Sequence, residues 1–219
     1  MQLRHGQECD NVAAMKNFPS AKLSVTPMAL LLSTMQLAGA PSDATRPANV
    51  LGPAKAPVTI EFFSDLQCPQ CARYEPIVKS LKTEFGDKVR MVLRHFPLNT
   101  HEHAVLAACA AEAAANQGKF WQMAEALYKT QWMWASAPAP RTILMDQAKN
   151  LGLDLDQFQK DLDGTECRER IDADGAYGLA LGVKTAPSVL INGFNVPNTE
   201  FNENGFRAAI KAALIKTGQ

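Results

Sequence analysis

The fold is decided by residues 58–71, which read VTIEFFSDLQCPQC. The first half of this stretch is β-branched and aromatic, which predicts a buried strand that ends at Ser64. After the stretch, apolar residues recur at helical spacing until Gly86, which predicts a helix with a glycine at its C-terminal end. Cys68 and Cys71 are therefore expected at the turn where a strand leads into a helix.

The two cysteines have the spacing of a thiol–disulfide exchange pair. Unsatisfied N–H groups and the dipole at a helix N-terminus lower the pKa of a thiol there, and a thiolate both attacks and leaves well. We expect Cys68 to attack and Cys71 to resolve the mixed disulfide, while Pro69 keeps the turn stiff. The alternatives are half of a zinc site or two core residues. Zinc normally takes four ligands, and the sequence has no second CxxC and no HxxxH.

The rest of the chain predicts an α/β frame interrupted by helices. A Pro- and Ala-rich linker at 41–57 precedes the frame, Asn99 is placed as a helix cap, and Asn192-Gly193 is a hairpin turn signal. The predicted elements after the first helix are strands at 89–96, 188–192 and 194–197 and helices at 101–116, 120–128, 143–151, 155–162, 168–181 and 206–214.

Composition is that of a globular protein with a normal core. The 219 residues include 47% hydrophobic side chains, enough to fold without a disulfide scaffold. Lys plus Arg and Asp plus Glu number 22 each and form no basic stripe, which argues against nucleic acid as a partner. Five cysteines are too few for a disulfide-stapled miniprotein, so each is interpreted from its surroundings.

Residues 1–44 have the features of a secretory signal region. A charge-free apolar stretch at 23–40 follows basic residues and ends in small ones, and it is too interrupted by polar residues to predict a membrane span. Residues 1–14, including Cys9, would then lie upstream of the true start. The alternative is a buried or interfacial N-terminal helix. A signal would place the mature chain in an oxidising compartment, the periplasm or another extracytoplasmic space.

Residues 56–71 resemble the active-site segment of the DsbA-like branch of the thioredoxin superfamily, the group with a helical insertion. Further segments resemble this family in the same order along the chain: Pro76, 94–98, 117–123 and 182–193. The resemblance spans about 50–215 and implies an α/β, thioredoxin-like fold with an all-helical insertion between the βαβ and ββα halves. The implied divisions are an N-terminal half at 45–99, an insertion at 100–182 and a C-terminal half at 183–219.

The resemblance also implies roles for residues around the pair. Pro187 would be cis, facing the disulfide, and would leave the backbone of Ala186 free to pair with an extended substrate strand. Glu61 would be the buried acid beneath the active site that relays the proton of Cys71. The alternative for Glu61 is an edge-exposed strand residue.

Three residues beside the pair would set its redox poise: Pro69, Gln70 and Ala186. Gln70 stands where the best-known oxidases of this family have histidine, and Ala186 stands where relatives often have Thr or Val. Without that histidine, we expect Cys68 to be less acidic than in those oxidases and the protein to be less oxidising.

Cys109 and Cys167 both fall in the predicted helical block. They could form a structural disulfide, as in some DsbA-like relatives, if their Cα atoms lie within about 7 Å. The alternative is two small buried hydrophobic residues.

The function implied is a thiol–disulfide oxidoreductase that oxidises unfolded or reduced secreted proteins. The family implies a quinone-linked membrane partner that reoxidises it, and we expect a monomer with no metal and no cofactor other than the redox-active disulfide. The alternatives are a disulfide reductase or isomerase of the same fold, and a protein that handles copper(I) with the same two sulfurs.

Overall fold

The computed structural model describes residues 49–218, which form one five-stranded sheet with helices on both faces. The signal region predicted at 1–44 lies outside the described residues. The strands, in the spatial order β1-β3-β2-β4-β5, are β1 Val50–Leu51, β2 Val58–Ser64, β3 Val89–His95, β4 Ser188–Ile191 and β5 Phe194–Asn195.

Within residues 49–218, eight α-helices connect and cover the sheet. Helices α2 to α7 lie between β3 and β4, as the sequence predicts, and within 49–218 none of the helices has the length and apolar character needed to cross a membrane. The helices are α1 Pro69–Phe85, α2 Ala104–Ala115, α3 Phe120–Lys129, α4 Gln131–Trp134, α5 Pro140–Asn150, α6 Leu155–Asp163, α7 Glu166–Ala180 and α8 Glu203–Lys216.

The pairing of β2 fixes where the chain turns. β2 runs parallel to β3, so a crossover is required between them, and α1 supplies it. On its other side β2 is antiparallel to β4, with Phe63 opposite Ser188. The turn from β4 to β5 has positive φ at Asn192 (50°) and Gly193 (80°), the backbone that the predicted hairpin requires.

The side chains of β2 alternate between two packed faces. Ile60 and Phe62 pack into the main core with Val78 of α1 and Phe206 of α8. Phe63 lies on the opposite face, in a smaller cluster to which Tyr177 of α7 contributes. Helix α7 approaches this face so closely that a Cβ on Gly178 would lie 2.7 Å from the Phe63 ring. Only glycine allows this approach.

Three local predictions need correction. The linker predicted at 41–57 contains β1, which pairs with β3 and is too short to produce a periodic signal. The return strand β5 ends at Asn195, not at residue 197. Helix α2 begins at Ala104 rather than 101 and is not capped by Asn99. The residues before it are held instead by the loop between β2 and α1, because the Leu98 N–H donates to Asp65 and the His103 N–H donates to Gln67.

Candidate active site

The cysteine pair lies where β2 leads into α1. Cys68 is the N-cap residue of α1, with extended backbone angles, and Pro69 occupies the first helical turn. Proline suits this position because its missing N–H would be unsatisfied there anyway. The Cys68 N–H donates to the Asp65 carbonyl (3.1 Å), which closes the turn that brings the thiol to the start of the helix. Pro69 and Gln70 are exposed beside it.

Cys68 is a free thiol with an acidic character. Only 6% of the residue is exposed. A hydrogen bond from the Cys71 thiol, with further ones from the backbone N–H groups of Cys71 and Gln70, lowers the pKa of Cys68 to about 6, against the opposing effects of burial and of Asp65. This pKa lies between about 3.5 for DsbA and about 7 for thioredoxin.

Cys71 is a free thiol of opposite character. None of it is exposed, and burial raises the pKa of Cys71 far above its ordinary value. The hydrogen bond with Cys68 acts in the same direction, while the Ser64 hydroxyl and the Asp65 backbone N–H, 3.4 Å from the Cys71 sulfur, oppose it. The pair is therefore asymmetric: one sulfur is ready to ionise and one keeps its proton.

A buried carboxylate organises the loop between β2 and α1. Asp65 accepts hydrogen bonds from the backbone N–H groups of Gln67 (2.7 Å) and Leu98 (2.8 Å) and contacts His101 Nδ1 at 2.7 Å. The position of Asp65, directly after a buried strand and close to the CxxC, could have drawn attention to it. His101 is 36 residues away in sequence, and no local pattern connects the two.

The helical insertion holds the same loop from the other side. Gln131, at the start of α4, donates from Nε2 to the carbonyls of Leu66 (2.7 Å) and Cys68 (3.1 Å). Gln67 donates in return to the Ala135 carbonyl (2.7 Å). Sequence reasoning missed these glutamines, because each bond joins segments more than sixty residues apart.

The segment 186–188 lies at the same end of the sheet as the cysteines. Since Ser188 pairs with Phe63, Pro187 lies beside the end of β2 from which the chain continues to Cys68. The Ala186–Pro187 peptide bond is cis. Ala186 is buried in the same core cluster as both cysteines, and Pro187 is half-buried.

Glu61 is buried, which excludes the alternative of an edge-exposed strand residue. Strand alternation places it on the face of Phe63, where α7 packs, whereas Cys71 belongs to the core on the other face. Its carboxylate accepts from Arg94 Nε and Nη2 (both 3.1 Å) and from the Tyr177 hydroxyl (3.3 Å). These contacts tie the sheet to α7, and the proton-relay role expected of Glu61 stays a prediction.

Cys109 and Cys167 form a disulfide, which the sequence alone left undecided. The bond joins α2 to α7, with the Cα atoms 5.1 Å apart. Both residues are buried. The bridge therefore closes most of the helical insertion into one covalent loop.

Comparisons with known proteins agree with this geometry. A family model described as Thioredoxin matches residues 44–212. A thioredoxin-like oxidoreductase from Silicibacter pomeroyi is 30% identical, with 80% of this chain and 98% of that one covered and a TM-score of 0.63. The α-DsbA1 structure from Wolbachia pipientis is 19% identical, covers 77% of this chain and 92% of that one, and has a TM-score of 0.67.

The curated relatives are longer proteins. The Na(+)/H(+) antiporter NhaA 1 of Salinispora arenicola is 37% identical over 172 residues, which are 77% of this chain and 25% of that protein. The chain thus spans about a quarter of the length of the curated relatives it matches.

The fold defines a structural class: thioredoxin-like proteins with a DsbA-like helical insertion. Within that class the helical insertion follows the βαβ half, as in the fold predicted from the sequence, and that prediction is confirmed. The chain belongs to the thioredoxin family.

Proposed function

We propose that the chain oxidises pairs of thiols in other proteins by exchanging a Cys68–Cys71 disulfide with them. The observation that carries this proposal is the asymmetry of the pair. A stabilised Cys68 thiolate favours the reduced form of the enzyme, and a disulfide whose reduced form is stabilised is the stronger oxidant. The lowered pKa of Cys68, at about 6, supports this direction of electron flow.

Each step of the exchange uses one of the two sulfurs. A substrate thiolate attacks the Cys68 sulfur, the Cys68–Cys71 bond breaks, and Cys71 leaves with the electron pair and takes up a proton. A second substrate thiolate then attacks the substrate sulfur of the mixed disulfide, which forms the substrate disulfide and releases Cys68 as a thiolate. The enzyme has gained two electrons, and reoxidation runs through Cys71 attacking a mixed disulfide between Cys68 and its oxidant.

The neighbourhood of Cys68 suits an extended, unfolded substrate. The backbone before Pro187 would pair with a substrate strand, which the position of Ala186 beside the end of β2 supports. Trp132, 83% exposed, and Met133 follow Gln131, whose side chain bonds the Cys68 carbonyl, so apolar surface is available close to the thiol. Unfolded chains expose apolar side chains that such a surface can bind.

The proposed setting is extracytoplasmic, with a quinone-linked membrane protein as the reoxidising partner and reduced secreted proteins as substrates. The Cys109–Cys167 disulfide supports an oxidising compartment, because structural disulfides form and persist there. Pro69 and Gln70, exposed beside Cys68, are the residues proposed to set the redox poise together with Ala186.

The reduction potential of the pair tests the proposal. The protein is equilibrated with glutathione buffers of graded ratio, and the reduced fraction is measured after acid quenching. We expect a potential on the oxidising side of about −200 mV, whereas a value near about −270 mV, typical of thioredoxin, would assign the chain as a reductase. Cys71→Ala serves as the matched control, because it cannot close the intramolecular disulfide and oxidised glutathione should convert its Cys68 only to a mixed disulfide with glutathione, with release of one reduced glutathione.

A further inference from the structure

A pair of buried hydroxyl groups lies behind Cys71. Ser64 Oγ and the Tyr128 hydroxyl are 2.5 Å apart, and both residues are buried. Ser64 shares the face of β2 with Phe62, the side on which Cys71 packs, and the interaction of its hydroxyl with the thiol lowers the pKa of Cys71, against the larger effect of burial. Ser64 belongs to β2 of the α/β frame and Tyr128 to α3 of the helical insertion, so each part of the fold contributes one hydroxyl.

Cys71 needs such a partner because it is inaccessible to solvent. Its thiol must lose a proton before the sulfur can attack a mixed disulfide, and must regain one after leaving. None of the residue is exposed, and burial holds the pKa of the thiol high. Bulk water therefore cannot take the proton directly, and a neighbouring group must.

A groove between α1 and α3 lies beside the hydroxyl pair. Tyr128 lines this groove, whose volume is about 360 Å³, together with Glu75, one helical turn after Cys71. Glu75 is buried, which raises the pKa of its carboxyl, and Lys79, 3.4 Å away, opposes that effect. The other charged groups facing Glu75 are Glu125 and Lys129 of α3. Glu75 thus provides a carboxyl in the same groove as Tyr128.

We propose that Ser64 and Tyr128 carry the proton of Cys71 to and from Glu75. The inference rests on the proposed function, since it concerns the resolving step of the same site. When Cys71 attacks, its proton passes to Ser64 Oγ, the Ser64 proton to the Tyr128 oxygen, and the Tyr128 proton to the Glu75 carboxylate. The Cys71 sulfur forms its bond to Cys68 while the bond from Cys68 to the partner sulfur breaks and the partner leaves as a thiolate. The reverse sequence protonates Cys71 when it is the leaving group.

A chromogenic aryl disulfide separates the two cysteine steps. Mixed with the reduced protein, it is attacked by the Cys68 thiolate and releases one aryl thiolate. Cys71 then attacks the Cys68 sulfur and releases a second. Stopped-flow absorbance records both releases, so the first acts as an internal control for the second. General acid–base catalysis is worth at least about a hundredfold, and we expect Ser64→Ala and Tyr128→Phe to slow the second release by about that factor and to leave the first unchanged.

Further variants distinguish proton transfer from packing. Ser64→Thr keeps the hydroxyl and should restore the second release. Glu75→Gln should slow it and remove its decline toward low pH, because the amide cannot accept the proton. Tyr177→Phe removes a hydroxyl on the opposite face of the sheet and should change neither release.

Three results would overturn the proposal. If neither Ser64→Ala nor Tyr128→Phe slows the second release, the relay is excluded. If only Glu61→Gln slows the second release, the proton path lies on the other face of the sheet. An unchanged pH profile in Glu75→Gln would remove Glu75 from the path. Absence of the second release from the unaltered protein would refute the proposed function itself, which is a separate outcome.

Discussion

Replacing Cys71 tests what holds the Cys68 thiolate. The largest influence that lowers the pKa of Cys68 is the hydrogen bond from the Cys71 thiol, ahead of the two backbone N–H groups. Cys71→Ala removes that donor and leaves the N–H groups in place. We therefore expect the pKa of Cys68 to rise from about 6 to about 8, which lowers its ionised fraction at pH 7 from about 90% to about 10%.

The alkylation rate of Cys68 depends on its pKa in two opposing ways. Intrinsic nucleophilicity rises with pKa, with a Brønsted slope of about 0.4–0.5, so two units of pKa make the thiolate about eightfold more reactive. At pH 7 this nearly cancels the loss of ionised thiol. At pH 5 the ionised fraction falls about a hundredfold, and the alkylation rate should fall about tenfold. The direct measurement is the ultraviolet absorbance of the thiolate across the pH range.

Cys71→Ser is the matched control, because its hydroxyl can still donate to the Cys68 sulfur. Its titration midpoint should stay within about one unit of the unaltered protein. A midpoint near 6 in Cys71→Ala as well would refute the reasoning, since the backbone N–H groups at the start of α1 would then be sufficient to hold the thiolate.

Three further predictions concern stability. The reduced protein should gain stability relative to the oxidised protein as pH rises from about 6 to about 9, because the lowered pKa of Cys68 stabilises the folded state at pH values above that pKa. The gain should be about 1 kcal/mol at pH 7 after allowance for solvent screening. Thermal unfolding of both forms across this pH range measures it. A difference that shrinks with rising pH would contradict this. Replacing both Cys109 and Cys167 by Ala should cost about 4 kcal/mol in urea unfolding, the loop-closure value for a separation of 58 residues, while Cys68 alkylation stays unchanged. Arg94→Met should cost about 3–5 kcal/mol because it removes the cation that pairs with the buried Glu61, while Asp174 keeps its ion pair with Arg170; Arg207→Ala, which breaks an exposed ion pair with Glu84, should have little effect, and equal losses in the two variants would refute the distinction.

The sequence predicted the parts of the site that local patterns encode. A β-branched run, two cysteines and an apolar helical repeat are close together in the chain, so the turn that carries Cys68 and Cys71 could be inferred directly. The order of the remaining helices and strands followed from periodicity and from turn signals such as Asn192-Gly193.

The rest of the site depends on contacts between distant segments. Ser64 and Tyr128 are 64 residues apart and Asp65 and His101 are 36 apart, and no periodic pattern connects such pairs. Glu61 illustrates a different limit. Alternation in β2 shows that it shares a face with Phe63, but which face receives α1 depends on the hand of the crossover and on where the insertion packs.

The disulfide between Cys109 and Cys167 has a consequence for how the protein is made. Both sulfurs are buried in the finished fold, so they must be oxidised while the chain is still incompletely folded. A newly synthesised copy is then a reduced, unfolded protein with a thiol pair, the kind of substrate proposed for the mature enzyme. Under the proposed function, finished molecules would oxidise this thiol pair in new copies, and the rate at which new copies become active should increase with the number already present.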